Sequence, residues 1–131
     1  MVGRKKGSGS LTPLELQIMH VLWREGASNV LHVQKNLPYD LELAYTTVQT
    51  MLNILQRKGR VKRTLKGRAY EYRAVISKET ILKQAVRDLV ERLFGGSSEE
   101  LVMSLIKSRQ IDVERIAELS RAAERNERTS E

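Results

Sequence analysis

The spacing of apolar residues changes twice along this chain, and that double change is the strongest constraint on its fold. From Leu14 to Leu55 apolar side chains recur at three- and four-residue intervals. Between Val61 and Ala74 they alternate, and after Ser77 the helical interval returns. A period of 3.6 buries one side of a helix and a period of 2 buries one face of a strand, so neither pattern satisfies the other structure. The expected fold class is mainly α with a small β-hairpin: three helices, a hairpin and then further helices.

Local signals place the breaks. Thr12-Pro13-Leu14-Glu15 reads as a helix start, with Thr12 as cap, Pro13 at the first helical position and Glu15 closing a capping box. Leu14, Ile18, Val21 and Leu22 follow on one face, and Gly26 ends the helix. Ser28 is the expected cap of a short second helix carrying Val30, Val33 and Leu37, broken by Pro38-Tyr39-Asp40. A third helix runs from Tyr45 to Lys58 and stops at Gly59. Two β-like runs follow, Val61 to Leu65 and Ala69 to Ala74, joined by Lys66-Gly67-Arg68. In the second run Tyr70, Tyr72 and Ala74 share one side, and Glu71 and Arg73 the other.

Charge divides the chain in the same region. From Met1 to Ile76 there are 13 Lys+Arg and 5 Asp+Glu, and from Ser77 to Glu131 there are 10 and 11. All four tyrosines, the tryptophan and both prolines precede Ser77. The expected organisation is a basic Gly/Ser-rich arm over residues 1–10, a winged helix-turn-helix over 11–76 and a helical region over 77–131. Three helices followed by a hairpin is the winged order, in which the third helix enters the major groove and the hairpin lies beside it.

The third helix carries the functional argument. At about 100° per residue, Ala44, Tyr45, Val48, Met51, Leu52 and Leu55 fall on one side. Thr46, Gln49, Thr50, Asn53 and Arg57 fall on the other. That outward face is polar but nearly uncharged, in a chain of which 30% of residues are charged. Amide and hydroxyl side chains match the hydrogen-bonding edges of bases, and threonine methyls match thymine. The positive charge is displaced to Arg57, Lys58, Arg60, Lys62, Arg63, Lys66, Arg68 and Arg73, where phosphates would lie. Like charges packed this closely repel, and a polyanion relieves that; about six neutralised phosphates would give a log-log salt slope of roughly −5. The alternative is a winged protein-interaction module gripping an acidic partner, which would leave the neutral face without a role. RNA is a third reading, but the aromatic stacking set that single strands need is missing.

The tail has its own message. Ile81, Leu82, Ala85, Val86, Leu89, Val90, Leu93 and Phe94 form a stripe wider than one surface helix requires. Gly95-Gly96 ends that helix. Ser97 with Glu100 opens another through Leu101, Val102, Leu105 and Ile106. Asp112 caps a last one with Val113, Ile116 and Leu119, after which the chain is expected to fray. Packing back on the first domain is one use of this surface. Packing against a second copy is the preferred one, because a twofold dimer presents two reading heads to a palindromic site.

Other classes are excluded or unsupported. With no cysteine, disulfides, thiolate metal sites and cysteine nucleophiles are removed together. His20 and His32 lack metal-ligand spacing, no phosphate loop or nucleophile elbow is present, and neither enzyme activity nor a cofactor is expected. Trp23 reads as core, and Met51 and Met103 as core or interface packing. No apolar run is long enough to span a bilayer, and no secretory signal follows Arg4-Lys5-Lys6, so a cytoplasmic home without membrane insertion is expected.

Several segments also resemble the penicillinase-repressor family, the BlaI/MecI/CopY type of bacterial winged-helix repressor. They are Leu11-Thr12-Pro13-Leu14-Glu15, Ile18-Met19-His20-Val21-Leu22-Trp23, and Leu43-Ala44-Tyr45-Thr46-Thr47-Val48-Gln49-Thr50-Met51-Leu52. Arg57-Lys58-Gly59 and Gly67-Arg68-Ala69-Tyr70-Glu71-Tyr72 continue the match. The resemblance implies a homodimeric repressor on a palindromic operator with TACA/TGTA half-sites. It assigns DNA contact to Thr46, Thr47, Gln49, Thr50 and Asn53, with Arg57, Arg63, Lys66 and Arg68 as phosphate partners. It also implies relief of repression by a membrane sensor-protease. Two departures stand out: without cysteine, thiolate copper sensing is excluded, and Ser104-Leu105 stands where family members are cleaved at Asn-Phe.

Overall fold

The computed structural model describes residues 11–130, with side chains through Glu127; the basic arm expected over residues 1–10 lies outside them. In chain order the elements are α1 (Pro13–Glu25), β1 (Ser28–Asn29), α2 (Val30–Asn36), α3 (Tyr45–Arg57), β2 (Val61–Lys66), β3 (Ala69–Ala74), α4 (Lys78–Leu93), α5 (Ser98–Lys107) and α6 (Val113–Ser130). Contacts group the chain into two compact units that divide after Lys83, inside α4.

In the first unit, α1 opens on the expected capping box. Glu15 N donates to Thr12 Oγ1 at 3.1 Å and Thr12 N donates back to Glu15 Oε1 at 2.9 Å. The cap of α2 corrects the sequence reading. Asn29, not Ser28, accepts the first-turn N–H, from His32 at 2.8 Å. Ser28 is buried instead in β1, which pairs antiparallel with β3 through Ser28–Tyr72 and Asn29–Glu71. The hairpin is therefore part of a three-stranded sheet in the order β1-β3-β2.

Helix α3 ends as its glycine predicts. Gly59 takes φ 76°, Arg60 N donates to Leu55 O at 2.9 Å and Gly59 N donates to Gln56 O at 3.0 Å. That pair of bonds is a Schellman motif, which a left-handed residue just past the cap permits. The hairpin is tighter than expected. Lys66 extends β2 and pairs with Ala69, leaving the two-residue turn Gly67-Arg68. Gly67, at φ 63°, fills the first turn position, where a type II′ turn calls for glycine.

One core unites these elements. Ile18, Met19, Val21 and Leu22 of α1 meet Val30 and Val33 of α2, Val48, Leu52 and Leu55 of α3, and Val61 and Tyr72 of the sheet. Leu11, Trp23, Met51 and Ile76 pack around it. Ala44 and Tyr45, placed on the inner side by the helical wheel, are exposed, so α3's first turn extends past the core. An ion pair joins the start of α1 to the end of α3: Lys58 Nζ lies 2.9 and 3.0 Å from the carboxylate oxygens of the buried Glu15. Trp23 Nε1 donates to Ile76 O at 2.9 Å, anchoring the chain where it leaves β3.

The second unit comprises most of α4, with α5 and α6. Ser97 caps α5 by accepting from Glu100 N at 3.1 Å, and Asp112 accepts from Arg115 N at 2.7 Å ahead of α6. Helix α6 does not fray where the apolar pattern stops but continues to Ser130. Its Glu, Arg and Ala residues are strong helix formers, and Arg115 pairs with Glu118 at 3.1 Å. No helix among the described residues is long and apolar enough to cross a membrane.

Candidate nucleic-acid interface

Helix α3 sinks Val48, Leu52 and Leu55 into the core, and that fixes which face looks outward. Thr46, Thr47, Gln49 and Thr50 are all exposed, as is Arg57 in the last turn. The structure thus groups four of the five uncharged site residues on one solvent-facing surface. Their register is set from two sides. Gln34 Nε2 donates to Leu43 O at 2.9 Å just ahead of α3, and the Glu15–Lys58 pair holds the other end.

Asn53 stands apart from the other four. It is half-buried, and its Oδ1 accepts from the Tyr72 hydroxyl at 3.0 Å and from Arg63 Nη1 at 3.3 Å. A helical wheel places it on the polar face, but folding of the hairpin brings two donors to its oxygen. In the sequence Tyr72 stands only as a member of an alternating strand and of the Gly67-to-Tyr72 segment. The signal available for it was the Tyr70/Tyr72 spacing in a strand beside the polar helix.

The hairpin divides its charges between two faces. Strand register pairs Arg63 with Tyr72 and Leu65 with Tyr70, so these four share a face with the buried Val61. Lys62, Lys66 and Arg73 alternate onto the opposite face, and Arg68 occupies the turn. The expected phosphate partners Arg63 and Lys66 are therefore on opposite sides of the wing. Beyond Tyr72 the inner face opens: Tyr70 is 40% and Leu65 59% exposed. The Arg63 guanidinium stacks on Tyr70, with its carbon 4.1 Å from the ring centroid.

The histidines lie elsewhere. His20 meets Trp23 edge-on at 5.5 Å between centroids, and burial, with Lys78 and Arg24 nearby, holds its pKa below the ordinary value. His32 Nε2 contacts Glu25 at 3.3 Å.

The first unit thus combines a three-helix core, an uncharged outward surface on α3 and a basic wing. Residues 11–125 match the family model described as penicillinase repressor. The chain belongs to the penicillinase-repressor family. Members of this family are DNA-binding repressors of transcription and not enzymes. The chain is 27% identical to a penicillinase repressor of Bacillus licheniformis over 83% of its own length and 85% of the relative's. It is 22% identical to that of Staphylococcus aureus, over 80% and 83%. Among solved structures, the DNA binding domain of the repressor BlaI aligns at a TM-score of 0.50 and 30% identity, over 56% of this chain and 90% of that domain.

In α4, Leu82, Ala85, Val86, Leu89 and Leu93 are exposed, Ile81 is half-buried and Val90 is buried. In α5 and α6, Leu101, Ile106 and Ile116 are half-buried, while Val102, Leu105 and Leu119 are exposed. Met103, expected in the core or at an interface, is 48% exposed and so lies outside the core of the chain. The Ser104–Leu105 bond lies within helix α5.

Proposed function

We propose that the chain is a homodimeric repressor that reads a palindromic operator with TACA/TGTA half-sites. The observation that carries this reading is the outward surface of α3, exposed at Thr46, Thr47, Gln49 and Thr50 and free of charge. These groups face base edges, bordered by Asn53, while Arg57, Arg63, Lys66 and Arg68 meet phosphates on either side. An acidic protein partner would exploit the wing but would find nothing to bind on α3.

Division of labour follows the chain: residues 11–76 read DNA and residues 77–131 join two copies. Supporting the dimer are the many large apolar side chains of α4 to α6 that the single chain leaves exposed, Leu82 at 51%, Val86 at 50% and Leu93 at 72% among them. A second copy offers an identical apolar surface, as a twofold interface requires. Relief of repression by a membrane sensor-protease in the cytoplasm would act on this second region. Because Ser104 and Leu105 are helical, scission there requires α5 to open locally first.

Selection of bound duplexes from a random pool tests the reading. Enrichment of an inverted repeat with TACA/TGTA halves supports it. Recovery of unrelated sequences, at the pool's own composition, refutes it.

A further inference from the structure

Tyr72 is only 1% exposed, and a buried phenol requires an acceptor for its hydroxyl. Asn53 Oδ1 supplies one at 3.0 Å. That bond alone satisfies Tyr72, yet two further groups converge on the same place. Arg63 Nη1 donates to the same Asn53 oxygen at 3.3 Å, and its guanidinium lies 4.1 Å from the Tyr70 ring centroid. Neither Arg63 nor Tyr70 is buried. An exposed arginine gains little stability from such contacts and gives up side-chain freedom to make them. What the contacts provide is a planar fork of donors, held between α3 and the wing before any ligand arrives.

We propose that Arg63 is a specificity-determining residue: its fixed guanidinium takes one backbone phosphate at one place and so sets the register of α3 in the groove. Asn53, Tyr70 and Tyr72 are its positioning residues. Asn53 is thereby withdrawn from bidentate adenine reading, which needs its oxygen to accept from the base while that oxygen already takes two donors. The proposal rests on the DNA-reading function above and specifies what the wing adds to it. Lys66 and Arg68, off this inner face, contribute charge alone.

The test uses the full chain, a TACA/TGTA palindrome and a scrambled duplex of equal composition, with affinities measured by anisotropy over a range of salt. Arg63→Lys keeps the charge and loses the planar fork. It is expected to leave the salt slope unchanged and to lower the palindrome-to-scrambled affinity ratio about tenfold. Tyr70→Leu, at an exposed position that does not threaten folding, lowers the same ratio. The Arg63→Lys/Tyr70→Leu double variant is no worse than the weaker single. Tyr72→Phe, which keeps the ring and removes the hydroxyl, behaves like Tyr70→Leu. A wild-type ratio in Arg63→Lys overturns the proposal, and so do losses that multiply in the double variant. In either case the wild-type preference for the palindrome still stands and the DNA-reading function survives. If wild-type protein shows no preference, both fall together.

Discussion

Replacing Lys58 by methionine isolates the ion pair that joins the start of α1 to the end of α3. The Glu15 side chain is 3% exposed and that of Lys58 30%. Removing one partner of a fully buried pair costs about 3–5 kcal/mol. Here Lys58 is partly open to water, and Glu15 retains the Thr12 N–H at 2.9 Å, so a loss of about 2 kcal/mol is expected. The pH dependence is the sharper part. Burial raises the Glu15 pKa, but bonds from Lys58 and Thr12 outweigh it and hold the group below its ordinary 4.5. In wild type that stabilisation is complete above the unfolded pKa and is lost as pH falls through the folded one. Without Lys58 only the Thr12 bonds oppose burial, so the folded pKa moves up from its wild-type position and the stabilisation of the ionised group shrinks. The gap between the two proteins is therefore widest at neutral pH and narrows below about pH 4. Urea unfolding followed by the fluorescence of Trp23, which lies in this unit, reads it directly. A midpoint about 1–2 M lower at pH 7 is expected, with convergence in acid. A gap of equal size at both pH values would refute the electrostatic reasoning.

Other substitutions address separate parts of the account. Arg109 takes φ 64° at the end of α5, so Arg109→Gly should stabilise by about 0.5–1 kcal/mol in thermal unfolding. Gly67→Val places a β-branched residue at φ 63°, and calorimetry should show a loss of at least about 1 kcal/mol. Thr50→Ala should weaken palindrome binding by roughly 1–3 kcal/mol and scrambled DNA little, whereas Arg57→Ala should weaken both and flatten the salt slope by about one. Val86→Glu with Leu89→Glu places charges on the exposed stripe of α4, and sedimentation should then give the mass of one chain where wild type gives two.

Much of this architecture is written in the periodicity of the chain. Ile18, Val33, Val48 and Leu52 mark helical inner faces because one buried stripe per helix is all a small core accepts. Gly26 and Gly59 mark helix ends because a left-handed residue is needed there. Strand β1 was not legible: two residues have no period, and Ser28–Asn29 is a strand only through its pairing with β3. Ser28 and Asn29 are both good caps, and the pairing that buries Ser28 leaves the task to Asn29. The outward Thr46, Gln49 and Thr50 surface followed from the wheel, since it depends on one helix and one core. The engagement of Asn53 did not, because Tyr72 and Arg63 reach it from a different element across the fold.

The most direct measurement is the affinity of the full chain for a TACA/TGTA palindrome and for its scrambled counterpart at one salt concentration near physiological. With the uncharged surface of α3 reading bases, the palindrome should bind at least about 10³-fold more tightly. Equal affinity for the two duplexes would mean that α3 reads nothing and that the basic wing alone holds DNA.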